Sequence, residues 1–437
     1  MAGALIGLQA LLGLSGIFLV FDGPIALSLL ALATGVLLIV IALSIRASEA
    51  ALAWQAGRVA AAMLLLPIGL MLVQCLPNPL GANPIWSTAA SALNERLIGS
   101  VTIDLGATLT ALGRMLVLAA LGAATLAITI NRRRVEGLLH LLIAVTAILP
   151  LAMMAALALM PSFAAELSDL HQDLHAPLTA IASLGILVGT TAMIRRFEQF
   201  EVSRGHGAPG PLRRHSRAAA DIVALAICVA AVIAVGSRMA WLAVFCSWFA
   251  VFSVPVIRRF LTRTSSMRSV MASVVVLVVL LLAIPMLQGA GEPVLRIAAR
   301  ADAAQLGLAQ RMLGDSHWLG NGAGTYAAVA PVYRTLADAT VVLMPPTTAA
   351  ALALDFGRPA LALFVILGGA LAMVLFDRAL RRGRDSYYPA LGGGALILSV
   401  FTLFVDFSLA STTVAVLLVI VVGLALGQSM STKQPQE

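Results

Sequence analysis

Long apolar runs separated by short polar stretches recur along the whole chain. Crossing about 30 Å of hydrocarbon at about 1.5 Å per residue takes roughly 20 apolar residues. Lipid offers backbone groups no outside partner, so such runs must be helical. Twelve runs fit: Ala4–Val20, Pro24–Ile45, Val59–Cys75, Ala107–Ile130, Leu138–Met160, Pro177–Ile194, Ala218–Val235, Met239–Ile257, Ser269–Leu287, Pro359–Phe376, Tyr388–Val405 and Leu409–Leu426. The expected fold class is all-α, a single polytopic membrane domain over residues 1–437 with about 12 transmembrane helices. Only Gly236, Ser237 and Arg238 separate the seventh and eighth runs, which predicts a tight helical hairpin. The first run has no basic leader and is soon followed by another, so it reads as a retained helix rather than a cleaved signal peptide.

Composition agrees with the pattern. The chain is 60% hydrophobic and 11% charged, against about 25% charged in an average soluble domain. A water-soluble chain of 437 residues could not hide that much apolar surface. The net charge of +8 does not point to nucleic acid, because the arginines fall in short clusters between apolar runs. Lys433 is the only lysine. Cys75, Cys228 and Cys246 share no motif spacing, so neither a disulfide framework nor a metal site is expected, and no cofactor is implied.

The arginine clusters also orient the helices. One alternate set of loops holds Arg132–Arg134, Arg195 and Arg196 with Arg213, Arg214 and Arg217, then Arg258, Arg259 and Arg263, and finally Arg378, Arg381, Arg382 and Arg384. The other set holds Leu76–Gly106, Pro161–Ala176, the Gly236 turn and Gln288–Arg358, all poorer in arginine for their length. Glu166, Asp169 and Asp173 make Pro161–Ala176 acidic. Positive loops stay cytoplasmic. Both termini are thus expected in the cytoplasm of a bacterial inner-membrane protein. Leu76–Gly106 and the large loop Gln288–Arg358, between helices 9 and 10, are expected in the periplasm.

Function in such proteins concentrates on long loops and on charges at membrane depth. In the first loop, Trp86 suits an interfacial anchor beside a short amphipathic helix. Arg114 falls about two turns inside the next span; snorkelling or pairing with Asp104 weighs evenly against anion binding. Arg238, at the hairpin turn, presents a guanidinium at headgroup depth, suited either to lipid phosphate or to a diphosphate ligand. The large loop holds Arg296, Arg300, Arg311 and Arg334 against the topology bias, which an anionic ligand would explain. Its Gly320–Thr325 run, GNGAGT, has the look of a phosphate cradle but lacks the Lys-Ser/Thr of a nucleotide loop, and tight turns are the usual use of such glycines.

These segments together resemble the O-antigen ligase and O-antigen polymerase superfamily of membrane glycosyltransferases. The resemblance rests on NPIWSTA with the SVTID segment up to Thr108, GSRMAWLA after the seventh run, DSHWLGNGAGTYAAVAPVYR, and LDFGRPALALF from Leu354 to Phe364. It implies transfer of a glycan from an undecaprenyl-diphosphate carrier to a lipid A-core sugar or to another carrier-linked repeat, without a metal. Membrane lipids are the other expected partners. Carried over, Arg238 matches the family's Ser-Arg position, Arg300 is the nearest match to a second diphosphate arginine, and Arg311 and Arg334 fit more loosely. Gly320, Gly322 and Gly324 match the Gly-x-Gly-x-Gly pattern, and Asp355 stands near the family's Glu position as the candidate catalytic residue.

One departure is specific. The family's loop histidine is missing from Val341–Gly357, and His317, before the glycines, reads as an interfacial or turn residue. Thr347 and Thr348 are no general bases at neutral pH, which leaves Asp355 and Asp338. A diphosphate is a good leaving group, so arginines that neutralise its developing charge address the larger electrostatic demand. The competing readings are a non-catalytic component of a polysaccharide assembly complex and a twelve-helix transporter or flippase. Against a transporter, the halves share no matching signature and intramembrane charges are few, Asp406 being the main exception.

Overall fold

The computed structural model describes residues 1–21, 23–77, 81–159, 174–203, 211–260, 295, 301–335, 343–382 and 385–430. Among these, ten helices are long and apolar enough to cross a membrane, and the chain is a helical multi-pass membrane protein. The ten coincide with predicted runs. The twelfth run is a shorter apolar helix of 16 residues, and the ninth, Ser269–Leu287, lies outside the described residues.

In chain order the helices are α1 (Ala2–Leu14), α2 (Ile17–Val20), α3 (Pro24–Ser44), α4 (Ala47–Cys75), α5 (Ile85–Leu93), α6 (Leu105–Thr129), α7 (Arg132–Leu159) and α8 (His175–Ser203). They continue with α9 (Pro211–Val235), α10 (Arg238–Phe260), α11 (Ala303–Asp315), α12 (Tyr326–Val329), α13 (Thr348–Phe356), α14 (Arg358–Arg381), α15 (Tyr387–Val405) and α16 (Thr412–Gly427). Boundaries follow local chemistry. Pro24 opens α3, where its missing N–H and fixed φ suit the first turn. The Asp104 carboxylate accepts the Ala107 N–H at 3.0 Å to cap α6, and the Thr347 hydroxyl caps α13 through Ala350 N–H at 3.0 Å. The first predicted span is broken at Ser15–Gly16, and the Ser15 carbonyl accepts both the Phe18 N–H at 3.1 Å and the Thr413 hydroxyl at 2.9 Å.

The core of the bundle is α8 and α15, with 83% and 72% of their spanning windows buried, whereas α3, α4 and α9 turn most of their surface outward. Small residues set the closest approaches. Gly392 faces Ala425, Gly423 faces the Gly122 carbonyl, and Gly427 faces Thr129, so α16 lies tightly between α6 and α15. Such seams let helices attract one another by van der Waals contact where lipid gives no hydrophobic driving force. Hydroxyls inside the spans bond backward to their own helix, as in Thr125 to Leu121, Thr146 to Leu142 and Thr191 to Leu187.

The predicted hairpin is only a tight turn. Helix α9 packs on α8 and α7, whereas α10 packs on α15 and α8, so the two diverge across α8. The residues Gly236 and Ser237 could not reveal this, because partner choice is made by helices far along the chain. The described spans run between two ends. One gathers Arg132, Arg134 and Arg195 with their carboxylates, and Arg378 on the Ser429 hydroxyl; the other gathers Gln74, Gly320–Thr325 and Asp355.

Candidate functional site at the glycine-run end

The last turn of α4, the segment leading into α6, the glycine run and α13 meet in one hydrogen-bonded platform. Gln74, buried in α4, is its centre. Its Nε2 donates to the carbonyls of Asp355 at 2.8 Å and Leu319 at 3.3 Å, and its Oε1 accepts the Ala323 N–H at 3.2 Å. This amide orientation matches donors to carbonyls and the carbonyl to an N–H. Its backbone carbonyl takes the Thr102 N–H at 3.2 Å. Around it, Asn83 Nδ2 donates to Asn321 Oδ1 at 3.2 Å, the Ile103 N–H donates to the Asn321 carbonyl at 2.9 Å, and Trp86 Nε1 donates to the Thr102 carbonyl at 3.1 Å.

The glycines fit this platform for steric reasons. Gly320, Gly322, Gly324 and Gly357 have φ of 76°, 108°, 76° and 86°, a region costly for side chains. A Cβ on Gly322 would overlap Thr102, and one on Gly320 or Gly357 would overlap the backbone of Asp355 or Trp318.

An accounting of amides decides what the run can bind. Gly320 N–H donates to His317 O at 2.9 Å, Asn321 to Leu354 O at 2.8 Å, Gly322 to Asp355 O at 3.1 Å and Thr325 to Gly322 O at 3.3 Å. The Ala323 N–H goes to Gln74 and the Gly324 N–H to Asp355 Oδ2 at 2.9 Å. Every amide of Gly320–Thr325 thus donates to a protein acceptor. A phosphate cradle requires amides pointing outward at the ligand. In this arrangement Gly320, Gly322 and Gly324 allow close packing, and an anion must be held by side chains.

Asp355 is likewise turned inward. It is 8% exposed near the end of α13, and its Oδ2 latches Gly324. Burial pushes its carboxyl up to about 7, against the opposite pull of the Gly324 and Thr325 amides. Such a group exchanges a proton near neutrality, but it faces the loop rather than solvent. Among the described residues its Oδ2 contacts are with the loop amides, an arrangement that positions the glycine run.

The arginines expected to bind substrate are dispersed over the same end. Arg238 is exposed as the first residue of α10, whose start is capped by the Ser237 hydroxyl accepting Ala240 N–H at 3.1 Å. Arg311 is exposed on α11, its Nε donating to Tyr333 O at 3.3 Å, and Arg334 is half-buried in the turn after Tyr333. Arg296, Arg300 and Asp338 lie outside the described residues. His317 occupies the turn before the glycines, exposed, accepting the Leu319 N–H on Nδ1 at 3.5 Å.

Two charges at membrane depth have definite partners. Arg114 donates Nη2 to the Ala410 carbonyl and to Thr412 Oγ1, bracing the break between α15 and α16. Asp406 is buried at the end of α15; its Oδ1 accepts the Ser408 N–H at 3.0 Å, and its carbonyl takes the N–H and hydroxyl of Thr348. The start of α13 is therefore tied to that break. Sequence reasoning missed Gln74 and gave no role of their own to Asn83, Thr102 and Asn321, which lie within the segments that carry the resemblance. The only signal was that a glutamine in an otherwise apolar helix end needs a partner.

Comparison with family models, with curated proteins and with solved structures finds no match to the chain.

Proposed function

We propose that the chain is an envelope polysaccharide ligase or polymerase. It would transfer a glycan from an undecaprenyl-diphosphate donor to a lipid A-core sugar or to another carrier-linked glycan. The working face in this reading is the glycine-run end, on the periplasmic side of a bacterial inner membrane. The observation that carries it is convergence. Segments around residues 83, 102, 321 and 355, which bear the sequence resemblance, are joined by direct hydrogen bonds although up to 238 positions apart, and the side chain of Gln74, outside those segments, bonds to two of them.

In this reading the platform is the rigid floor, and Arg238 with the loop arginines supplies the diphosphate contacts. Guanidinium forks match phosphate oxygens and stabilise charge developing on the leaving diphosphate. Asp355 fixes the glycine run rather than touching the acceptor.

The test is Arg238→Ala in the native host, with membrane level measured alongside glycan by gel. Loss of capped lipopolysaccharide indicates a ligase, and shortened chains indicate a polymerase. Normal glycan at normal protein level removes the diphosphate role. Unchanged glycan after deletion of the gene as well favours a transporter or a non-catalytic partner.

A further inference from the structure

At the arginine-rich end five of the described guanidinium groups have a carboxylate of their own. Arg132 pairs with Asp385, Arg134 with Glu49, Arg195 with Glu136, Arg196 with Asp221 and Arg381 with Asp377. Arg58, Arg378 and Arg382 have no such ion pair among the described residues. Arg378 Nη1 on α14 donates to the Ala56 carbonyl of α4 at 3.1 Å and to the Ser429 hydroxyl at 2.7 Å. Arg58, two residues beyond Ala56, lies within the field of the Arg378 guanidinium. One turn along α14, Arg382 Nη2 meets Gln428 Oε1 at 3.4 Å, while its Nη1 is buried without a hydrogen-bond partner. Asp385 also acts on Arg382, but it is already bonded to Arg132 at 2.9 Å and to the Tyr387 hydroxyl at 2.8 Å.

The partial negative charge at the end of α16 explains why Arg378 and Arg382 turn toward Ser429 and Gln428. Asp377, paired with Arg381 at 2.6 Å, also acts on Arg378, but neither it nor the helix end compensates the exposed Arg58. Cations gathered at the rim of a membrane span repel one another unless an anion sits among them. The depth is right for a lipid headgroup. The apolar part of α4 begins at Val59, so Arg58 stands at its edge. Trp54, about one turn earlier, is 69% exposed, at the level where indoles anchor helices in the interface. Ala56, at the level of Arg378, belongs with Leu375 and Leu426 to one apolar cluster.

We propose that the place where α4 approaches α14 binds the phosphate of an anionic phospholipid, with Arg58 and Arg378 as donors and Trp54 at headgroup level. Basic recesses between membrane helices suit such headgroups. Inorganic phosphate offers the same oxygens but no acyl chain for the exposed indole and the apolar cluster beneath. The site is at the end remote from the glycine run and does not depend on the glycan reading.

The test uses the full chain, delipidated in neutral detergent. It is titrated with phosphatidylglycerol, phosphatidylcholine or inorganic phosphate and read by native mass spectrometry and thermal unfolding. Phosphatidylglycerol should bind saturably and raise the unfolding temperature, and the other two should not. Arg58→Gln should weaken phosphatidylglycerol binding about fivefold. Arg58 is exposed and makes no hydrogen bond among the described residues, so this variant keeps its fold, whereas Arg378→Gln also loses bonds to Ala56 and Ser429. Equal response to phosphatidylcholine, equal protection by inorganic phosphate, or unchanged affinity in Arg58→Gln overturns the assignment.

Discussion

The two ends of the bundle are held by different forces. At the arginine-rich end, ion pairs such as Arg196–Asp221 at 2.6 Å and Arg132–Asp385 at 2.9 Å join neighbouring helices through long, partly exposed side chains. At the glycine-run end the joints are hydrogen bonds made by one glutamine, two asparagines, backbone amides and the buried Asp355 carboxyl. Charges act over distance and tolerate small displacements. Amide hydrogen bonds weaken steeply with angle and length, so the second end must be built to tighter geometry. Precision of that kind suits a face that positions a ligand, and the looser end suits topology and lipid contact.

The sharpest way to break this comparison is Gly357→Ala. The new Cβ would overlap the Trp318 carbonyl, at a φ of 86°, and nothing there can rotate away. Destabilisation of about 3 kcal/mol or more is expected in detergent unfolding. Wild-type stability would mean the platform is far softer than its bonds imply.

Next comes pH. The Asp355 carboxyl, pushed up to about 7 by burial, lies above its unfolded value of about 3.9. The folded state then binds the proton more tightly than the unfolded one. Stability is greatest below the unfolded value, falls as pH rises between the two values, and levels above about 7. Unfolding followed from about pH 5 to about pH 8 should show a loss of about 2 kcal/mol that Asp355→Asn removes. Parallel curves for the two proteins would place Asp355 in a wetter setting.

The smallest effect is a contrast in salt response. Gln74→Leu leaves the Ala323 N–H without its acceptor and should lower stability by about 1.5 kcal/mol, equally at low and high salt. Asp221→Asn should lower it by about 1 kcal/mol at low salt and by less in molar salt, because Arg196 is partly open to solvent. Salt sensitivity in the Gln74 variant would erase the distinction between the ends.

The legibility of the chain follows the same division. The spans could be read because bilayer thickness imposes a length and lipid imposes helicity. Ten predicted runs reappear as long apolar helices, with α4, α7 and α8 extending beyond their apolar parts. The run from Leu409 was expected to start earlier than Thr412, because Ser408–Ala410 is a separate 3-10 turn braced by Arg114. For the site, glycine positions and Asp355 were visible as pattern, but their use was not. GNGAGT is compatible with a cradle facing outward or a turn locked inward, and only the direction of its amides separates the two.

By itself the sequence determined that this is a helical membrane chain, and where its polar breaks and arginine clusters fall. Those properties depend on hydrophobicity summed over windows of about 20 residues. The tertiary structure alone decided that Gln74 meets Ala323 and Asp355, that α9 and α10 part after their turn, and that Arg378 reaches the Ala56 carbonyl two residues from Arg58. Such meetings depend on which helix faces pack, and that is settled by contacts between residues hundreds of positions apart.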